Sequence, residues 1–379
     1  MSSAPPDPNV VDPAPSWRAR LVRAIFVASV RAVRELGAGG LPDADAPPAE
    51  LEAYALQMRE AMESLTARVP VRRDVTITSA TALPVPGRFV VSADALGAVG
   101  DPVETGPSGG VDRPAFDDDL LGRVERVVLH LHGGVYCLGS STTHSAFGAA
   151  LSQQARAAVV LPDYRLAPEH PFPAALDDAL GAYRWLLEER GIAPSRLAVT
   201  GDSSGGGLGA SLLVRARELG LPQPACYVGI SPWTDLAATG GSIEALAERD
   251  PWLPAPLVLP AAKAYAGEAP LDDPAISPLY ADLTGLPPVL VHVGGDEILL
   301  DDATRFVDAC RAHGVDASVG RFPGLWHVFH LFPGIPEGRD ALREIGGFIR
   351  RHIPDGGVAP SLRASPTPPP SRDARTGGP

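Results

Sequence analysis

Lysine is almost missing from this chain: Lys263 is the only one, and arginine supplies the other cations. Together with abundant Ala, Gly and Pro, this reads as codon composition rather than chemistry. Positive charge is scarce overall, with 32 basic against 45 acidic residues and a formal net charge of −13. Such a balance supplies no electrostatic footprint for nucleic acid or for an anionic membrane surface. The three cysteines, Cys137, Cys226 and Cys310, are odd in number and far apart, which argues against a disulfide framework or a clustered zinc site. A reducing, cytoplasmic setting is the expectation. Long apolar runs are also lacking, so no stable membrane insertion is expected. Residues 21–30 come nearest to a signal segment, but Arg23 interrupts them and no convincing small-residue cleavage site follows. Internal repeats and coiled-coil heptads are absent.

What is present reads as one catalytic domain with additions. Residues 1–16 and 354–379 are rich in Pro, Ser, Asp, Gly or Arg and are expected to be disordered tails. Helical spacing predicts an amphipathic helix over 17–36 and a second helix over 49–65. From Val71 onward the texture becomes that of strands, with Val75, Ile77, 89–91 and 127–131 bounded by Gly, Pro and Asp. Residues 94–119 read as an irregular insertion. Strand and helix then alternate: strand 159–161, helix 174–190, strand 197–200, helix 204–219 and strand 226–230. After a further insertion come strand 289–293, helix 301–313, strand 317–322 and helix 339–352. Alternation of this kind implies an α/β fold with a mostly parallel sheet covered by helices on both faces, whose ligands sit beyond the carboxyl ends of the strands.

The strongest motif is Gly201-Asp202-Ser203-Ser204-Gly205, a G-x-S-x-G sequence between a predicted strand and a predicted helix. Small flanking residues permit the sharp turn that lifts a serine oxygen above a sheet edge, so Ser203 is the candidate nucleophile. A phosphate-cradling loop is the alternative for such glycines, but a Walker loop needs a lysine that is not there. Upstream, strand 127–131 runs into His132-Gly133-Gly134-Val135, which resembles an oxyanion loop. The backbone N–H groups of Gly133, Gly134 and Ser204 are the candidate oxyanion donors. Val135 stands where a third glycine is usual, and a backbone donor does not depend on its side chain.

A serine nucleophile needs a base and an acid, which follow it in that fold in the order acid, then histidine. Asp296, in the loop after strand 289–293, is the candidate acid, with Glu297, Asp301 and Asp302 read as solvated helix-start residues. His327 follows the turn Pro323-Gly324 and is the candidate base, whereas His330 reads as a packing residue or a donor behind it.

With those residues in place, 71–352 resembles the hormone-sensitive-lipase-like esterases, bacterial family IV. The likeness extends to Asp163-Tyr164-Arg165-Leu166-Ala167-Pro168-Glu169-His170-Pro171, to Ile276-Ser277-Pro278-Leu279 and to Leu286-Pro287-Pro288. In the Asp163 segment the prolines stiffen a loop that Arg165 and Glu169 can brace by ion pairing. The resemblance implies an α/β-hydrolase fold at 70–353, with a helical cap formed by 17–69 and an insertion at about 239–268. It also implies hydrolysis of short to medium acyl esters or lactones through an acyl-enzyme, with no cofactor and no metal.

The expected partner is a small ester, with nucleic acid excluded and association into homo-oligomers left open. Acyl transfer or amide hydrolysis on the same triad, and a hydrolase fold that binds a small ligand without turnover, are the rivals. A membrane-surface role for helix 17–36 would rest on amphipathicity alone.

Overall fold

In a computed structural model, the chain is described at residues 14–35, 48–66, 69, 71–96, 120–332 and 334–356. Eight strands form one sheet: β1 (Val75–Ser79), β2 (Gly87–Ser92), β3 (Val127–Leu131), β4 (Ala158–Pro162), β5 (Leu197–Asp202), β6 (Cys226–Ile230), β7 (Val289–Gly294) and β8 (Ala317–Phe322). Their order across the sheet is β1-β2-β4-β3-β5-β6-β7-β8. Only β2 breaks the parallel run, pairing antiparallel with both β1 and β4.

Strand residues alternate between two apolar layers, as a two-residue side-chain period requires. Leu129, Val199, Tyr227 and Val291 face one layer, into which the helices Ala174–Arg184, Ser204–Glu218 and Leu300–Ala312 pack. Val128, Ala198, Val228 and Leu290 face the other, closed by the helices Ser145–Ala155 and Pro336–His352. Both faces being covered explains why the central strands read as continuous apolar runs.

Apart from short helices at Ala93–Leu96 and Leu120–Arg123, most expected elements fall within a few residues of the observed ones, and two longer helices differ. Helix Ser145–Ala155 was not anticipated: its sequence of Ala, Ser, Gly and Gln carries few large apolar residues to mark a period. The helix expected over 174–190 is α-helical through Arg184 and then widens into one π turn, Trp185–Glu189. Most of the 94–119 insertion and of both expected tails lies outside the described residues. The described residues 14–16 and 354–356 contact the body, through Ser16 Oγ donating to Glu337 Oε2 at 2.9 Å and through an ion pair of Asp355 with Arg126.

The register brings the site together. Leu131 pairs with Gly201, Asp202 with Ile230, Ile230 with His292 and Gly294 with Phe322. Four loops, after β3, β5, β7 and β8, therefore leave the sheet at nearly the same level.

Candidate active site

Ser203 sits at the turn from β5 into helix Ser204–Glu218 with φ +54° and ψ −124°, a backbone conformation that a residue with a Cβ rarely adopts. The surroundings hold it there. Its N–H donates to the Ile230 carbonyl at 2.8 Å, and its own carbonyl accepts from Trp233 N–H at 2.9 Å and Gly206 N–H at 3.0 Å. The turn also demands glycine at 201 and 205, because a Cβ at Gly201 would meet the Gly205 carbonyl and one at Gly205 the Leu131 carbonyl. Strain stored this way at a turn is characteristic of functional positions.

The Ser203 hydroxyl lies 2.9 Å from His327 Nε2, and His327 Nδ1 lies 3.2 Å from Glu297 Oε1. All three side chains are buried. Burial by itself would lower the His327 pKa, but the hydrogen bond and charge of Glu297, with smaller contributions from Asp250 and Asp202, leave it raised above 6.5. Glu297 Oε2 accepts from Ser231 Oγ and from Gly294 N–H, both at 2.7 Å, so both its oxygens are committed.

The acid expected from sequence is corrected here: Glu297, not Asp296, faces the imidazole. Asp296 turns the other way, accepting from Arg23 Nη1 at 2.8 Å and pairing with Arg249. Both acids leave the same post-strand loop, and which one turns inward depends on backbone direction that spacing does not encode. By sequence Glu297 reads as a solvated helix-start residue. Its complete burial, in contact with Ser231 and His327, shows why that assignment fails.

His330 is also fully buried, with Nε2 3.3 Å from His292 Nδ1, and desolvation followed by the neighbouring His292 holds its pKa well below the usual value. It belongs to a separate imidazole pair behind the last strand loop.

The loop after β3 is tied down by the two neighbours of Ser203. Asp202 Oδ1 accepts from Gly133 N–H at 3.1 Å, and Ser204 Oγ accepts from Tyr136 N–H at 3.1 Å. Tyr164 Oη, from the proline-rich segment, donates to the His132 carbonyl at 2.6 Å. Gly134, Val135 and Tyr136 all have positive φ, at 131°, 51° and 61°. Val135 therefore occupies a left-handed conformation that the glycine usual at this place would adopt without strain. The Gly133 N–H, one of three expected oxyanion donors, is directed at Asp202, and a substrate oxygen would have to share it. Ser204 lies in the first helical turn, where backbone N–H groups have no intrahelical acceptor.

The flanking helices reach this loop by specific contacts. Arg59, on helix Pro48–Thr66, donates to the carbonyls of Cys137 at 2.7 Å and Ala167 at 2.9 Å and pairs with Glu169 at 2.6 Å. Arg165 pairs instead with Asp178 at 2.7 Å, so the proline-rich segment is braced on two sides. Tyr265, on helix Ala255–Ala266, stacks on Tyr136 with centroids 3.6 Å apart.

Residues 128–331 match a model of the α/β-hydrolase-fold family. The chain is similar to the crystal structure of EstE5, with TM-score 0.74 and 33% identity over 89% of this chain and 99% of that one. An esterase from the bacterial hormone-sensitive lipase family superposes with TM-score 0.70 at 35% identity, covering 90% of this chain and all of the other (100%). The chain belongs to the hormone-sensitive-lipase-like esterases of the α/β-hydrolase fold. Among relatives known by sequence, this esterase is 41% identical over 245 residues to an acetyl-hydrolase of Streptomyces hygroscopicus, spanning 64% of this chain and 80% of that protein. It is 38% identical over 246 residues to the carboxylesterase/phospholipase LipF of Mycobacterium tuberculosis, spanning 63% of this chain and 65% of that one. Among the described residues no helix is long and apolar enough to cross a membrane, and no cluster of three or more His, Cys, Asp or Glu could hold a metal.

Proposed function

We propose that this esterase hydrolyses carboxylic esters or lactones with short to medium acyl groups through an acyl-enzyme on Ser203. The hydrogen-bonded chain Ser203 Oγ to His327 Nε2 at 2.9 Å, with Glu297 behind the imidazole, supports this most directly. His327 takes the hydroxyl proton as Ser203 Oγ attacks the acyl carbon, and the imidazolium gives that proton to the leaving alkoxide as its bond to carbon breaks. Water, deprotonated by the same imidazole, then attacks the acyl-enzyme, releasing the carboxylic acid and restoring Ser203. Glu297 fixes the imidazole with its proton on Nδ1 and stabilises the imidazolium. The N–H groups of Gly134 and Ser204 receive the developing oxyanion, with Gly133 held by Asp202.

Helices Trp17–Glu35 and Pro48–Thr66, with the 239–268 insertion, form the cap. Trp252, Leu253, Leu257 and Tyr265 are among its apolar side chains and pack against the body, an apolar setting that suits an uncharged acyl chain.

The test is Ser203→Ala assayed on p-nitrophenyl esters of graded acyl length, beside labelling of the parent enzyme by a serine-directed phosphonate. Turnover should fall by a factor on the order of 10⁴ or more, and the phosphonate should label Ser203 alone. A folded Ser203→Ala variant that keeps most of its activity would refute the nucleophile.

A further inference from the structure

Arg23 stands where three segments that carry the proposed triad come together. It projects from helix Trp17–Glu35, far from the site in sequence. Its Nη1 donates to Asp296 Oδ2 at 2.8 Å and reaches the Gly324 carbonyl at 3.4 Å, while Nη2 donates to the Arg249 carbonyl at 2.7 Å. Asp296 directly precedes Glu297. Gly324 lies in the turn that leads from β8 towards His327. Arg249 directly precedes Asp250, whose carboxylate accepts at 3.1 Å from the N–H of Ile298, the residue after Glu297.

The two loops are already joined through their backbones, by Asp296 N–H donating to the Leu325 carbonyl at 2.9 Å and Gly295 N–H to Phe322 at 2.8 Å. Arg249 pairs with the other Asp296 oxygen, so cations from the N-terminal helix and from the insertion converge on one carboxylate. That carboxylate is only 6% exposed and depends on them for compensation. The helix itself has a seat: Ala19 is fully buried in a cluster with Leu325, Trp326 and Phe329, the residues flanking His327. A planar guanidinium can serve acceptors in three directions at once, which a lysine ammonium on the same stem does less well.

We infer that Arg23 is a positioning residue, a latch through which the N-terminal helix keeps the Glu297 loop and the His327 turn in register. It rests on the reading of Ser203, His327 and Glu297 given above. The latch touches no substrate, so its loss acts on the chemical step: the Glu297 to His327 contact of 3.2 Å loosens and the imidazole drifts from Ser203.

The experiment measures kcat, KM and the pH profile of kcat on p-nitrophenyl butyrate for Arg23→Ala, Arg23→Lys, Asp296→Asn and Arg23→Ala/Asp296→Asn, with active sites counted by phosphonate titration. For Arg23→Ala, kcat should fall ~10- to 100-fold, since displacements near an ångström carry effects of that size. KM should stay within about twofold. The lysine variant should recover part of the loss, and the double variant should be no slower than the slower single one.

The pH profile separates positioning from charge. The groups that act on the His327 imidazole are Glu297, Asp250 and Asp202, with His330 beside them. Charge through space would move the acid limb up when Arg23 is removed and down when Asp296 is neutralised. A latch moves it down in both, because both loosen the carboxylate that keeps the imidazole protonated. Unchanged kcat, or an upward move in Arg23→Ala, would overturn the inference. If Arg23→Ala does not fold, Arg23→Lys decides, since it keeps the charge and loses the fork: reduced kcat with the acid limb lowered supports the latch, and parent values overturn it. Glu297→Gln in the same series tells the two readings apart. Activity retained there refutes the triad, whereas activity lost there but kept in the Arg23 variants refutes the latch alone.

Discussion

Replacing Glu297 by glutamine tests the corrected acid with almost no change of shape. In the parent, Oε2 accepts two hydrogen bonds, from Ser231 Oγ and Gly294 N–H at 2.7 Å each, while Oε1 faces His327 Nδ1 at 3.2 Å. Glutamine keeps one acceptor oxygen. Two donors compete for it on the Ser231 side, so the amide settles with its oxygen there and its NH2 against Nδ1. An NH2 group can only donate, which leaves Nδ1 unprotonated and puts the imidazole proton on Nε2, facing Ser203. That tautomer cannot accept the serine proton. A wrong tautomer in otherwise intact geometry costs ~10⁴ in kcat, or about 5 kcal/mol of transition-state stabilisation.

The pH profile should change with it. His327 is raised above the ordinary imidazole value because Glu297 outweighs burial, so activity in the parent should fall on the acid side at a pH above about 6.5 as the base becomes protonated. In the variant, burial acts without that carboxylate, and the acid limb of the residual activity should move down. The assay is turnover of p-nitrophenyl acetate and butyrate from about pH 5 to 9, with circular dichroism to establish folding. Asp296→Asn provides the contrast. If Asp296→Asn cost more activity than Glu297→Gln in folded proteins, the geometric assignment of the acid would be wrong.

His327→Ala should match Ser203→Ala in lost activity, with the double variant little worse, while His330→Ala should cost stability more than kcat because it opens a buried imidazole pair. The reverse ranking would move the base to His330. Asp302 is fully buried, and desolvation, then the adjacent Asp235, push its carboxyl up to about 8. The folded state thus keeps a proton that the unfolded chain releases near pH 4, and stability should fall as pH rises from about 4 to 8. Asp302→Asn should flatten that slope in urea midpoints measured across the window, and an unchanged slope would refute the assignment. Burial pushes the thiols of Cys137, Cys226 and Cys310 up to about 12 each, so iodoacetamide at pH 8 should leave esterase activity intact, as should EDTA. Thiol-dependent or zinc-restored activity would contradict the mechanism.

Residues whose position follows from strand ends were readable in advance. Ser203 and His327 lie in post-strand loops, where a mostly parallel sheet must place them, and the register of β5 to β8 brings them within reach of each other. Choosing between Asp296 and Glu297 required knowing how the backbone turns after Gly294 and Gly295, where either carboxylate has the right chemistry. By sequence Arg23 only breaks an apolar run. Its three acceptors lie more than two hundred residues away in sequence, and periodicity cannot report such a contact. The same holds for Asp202, which sat inside the recognised motif without a role.

That role follows from the burial of its carboxylate. Loss of solvent would raise the Asp202 pKa, yet the neighbouring His144 and His130 outweigh it and hold the group well below the usual carboxylate range. Both imidazoles approach Oδ1, at 3.4 Å from His144 Nε2 and 3.2 Å from His130 Nε2, and the same oxygen accepts the Gly133 N–H. On the other side of the nucleophile, Ser204 Oγ accepts from Tyr136 N–H. The residues before and after Ser203 thus grip the two ends of one glycine loop, and any shift of the Ser203 turn carries the proposed oxyanion donors with it. A serine attack and the charge it creates are stabilised only when hydroxyl and donors keep a fixed separation. Tying the loop after β3 to the residues on either side of Ser203, rather than leaving the two loops anchored separately to the sheet, keeps that separation.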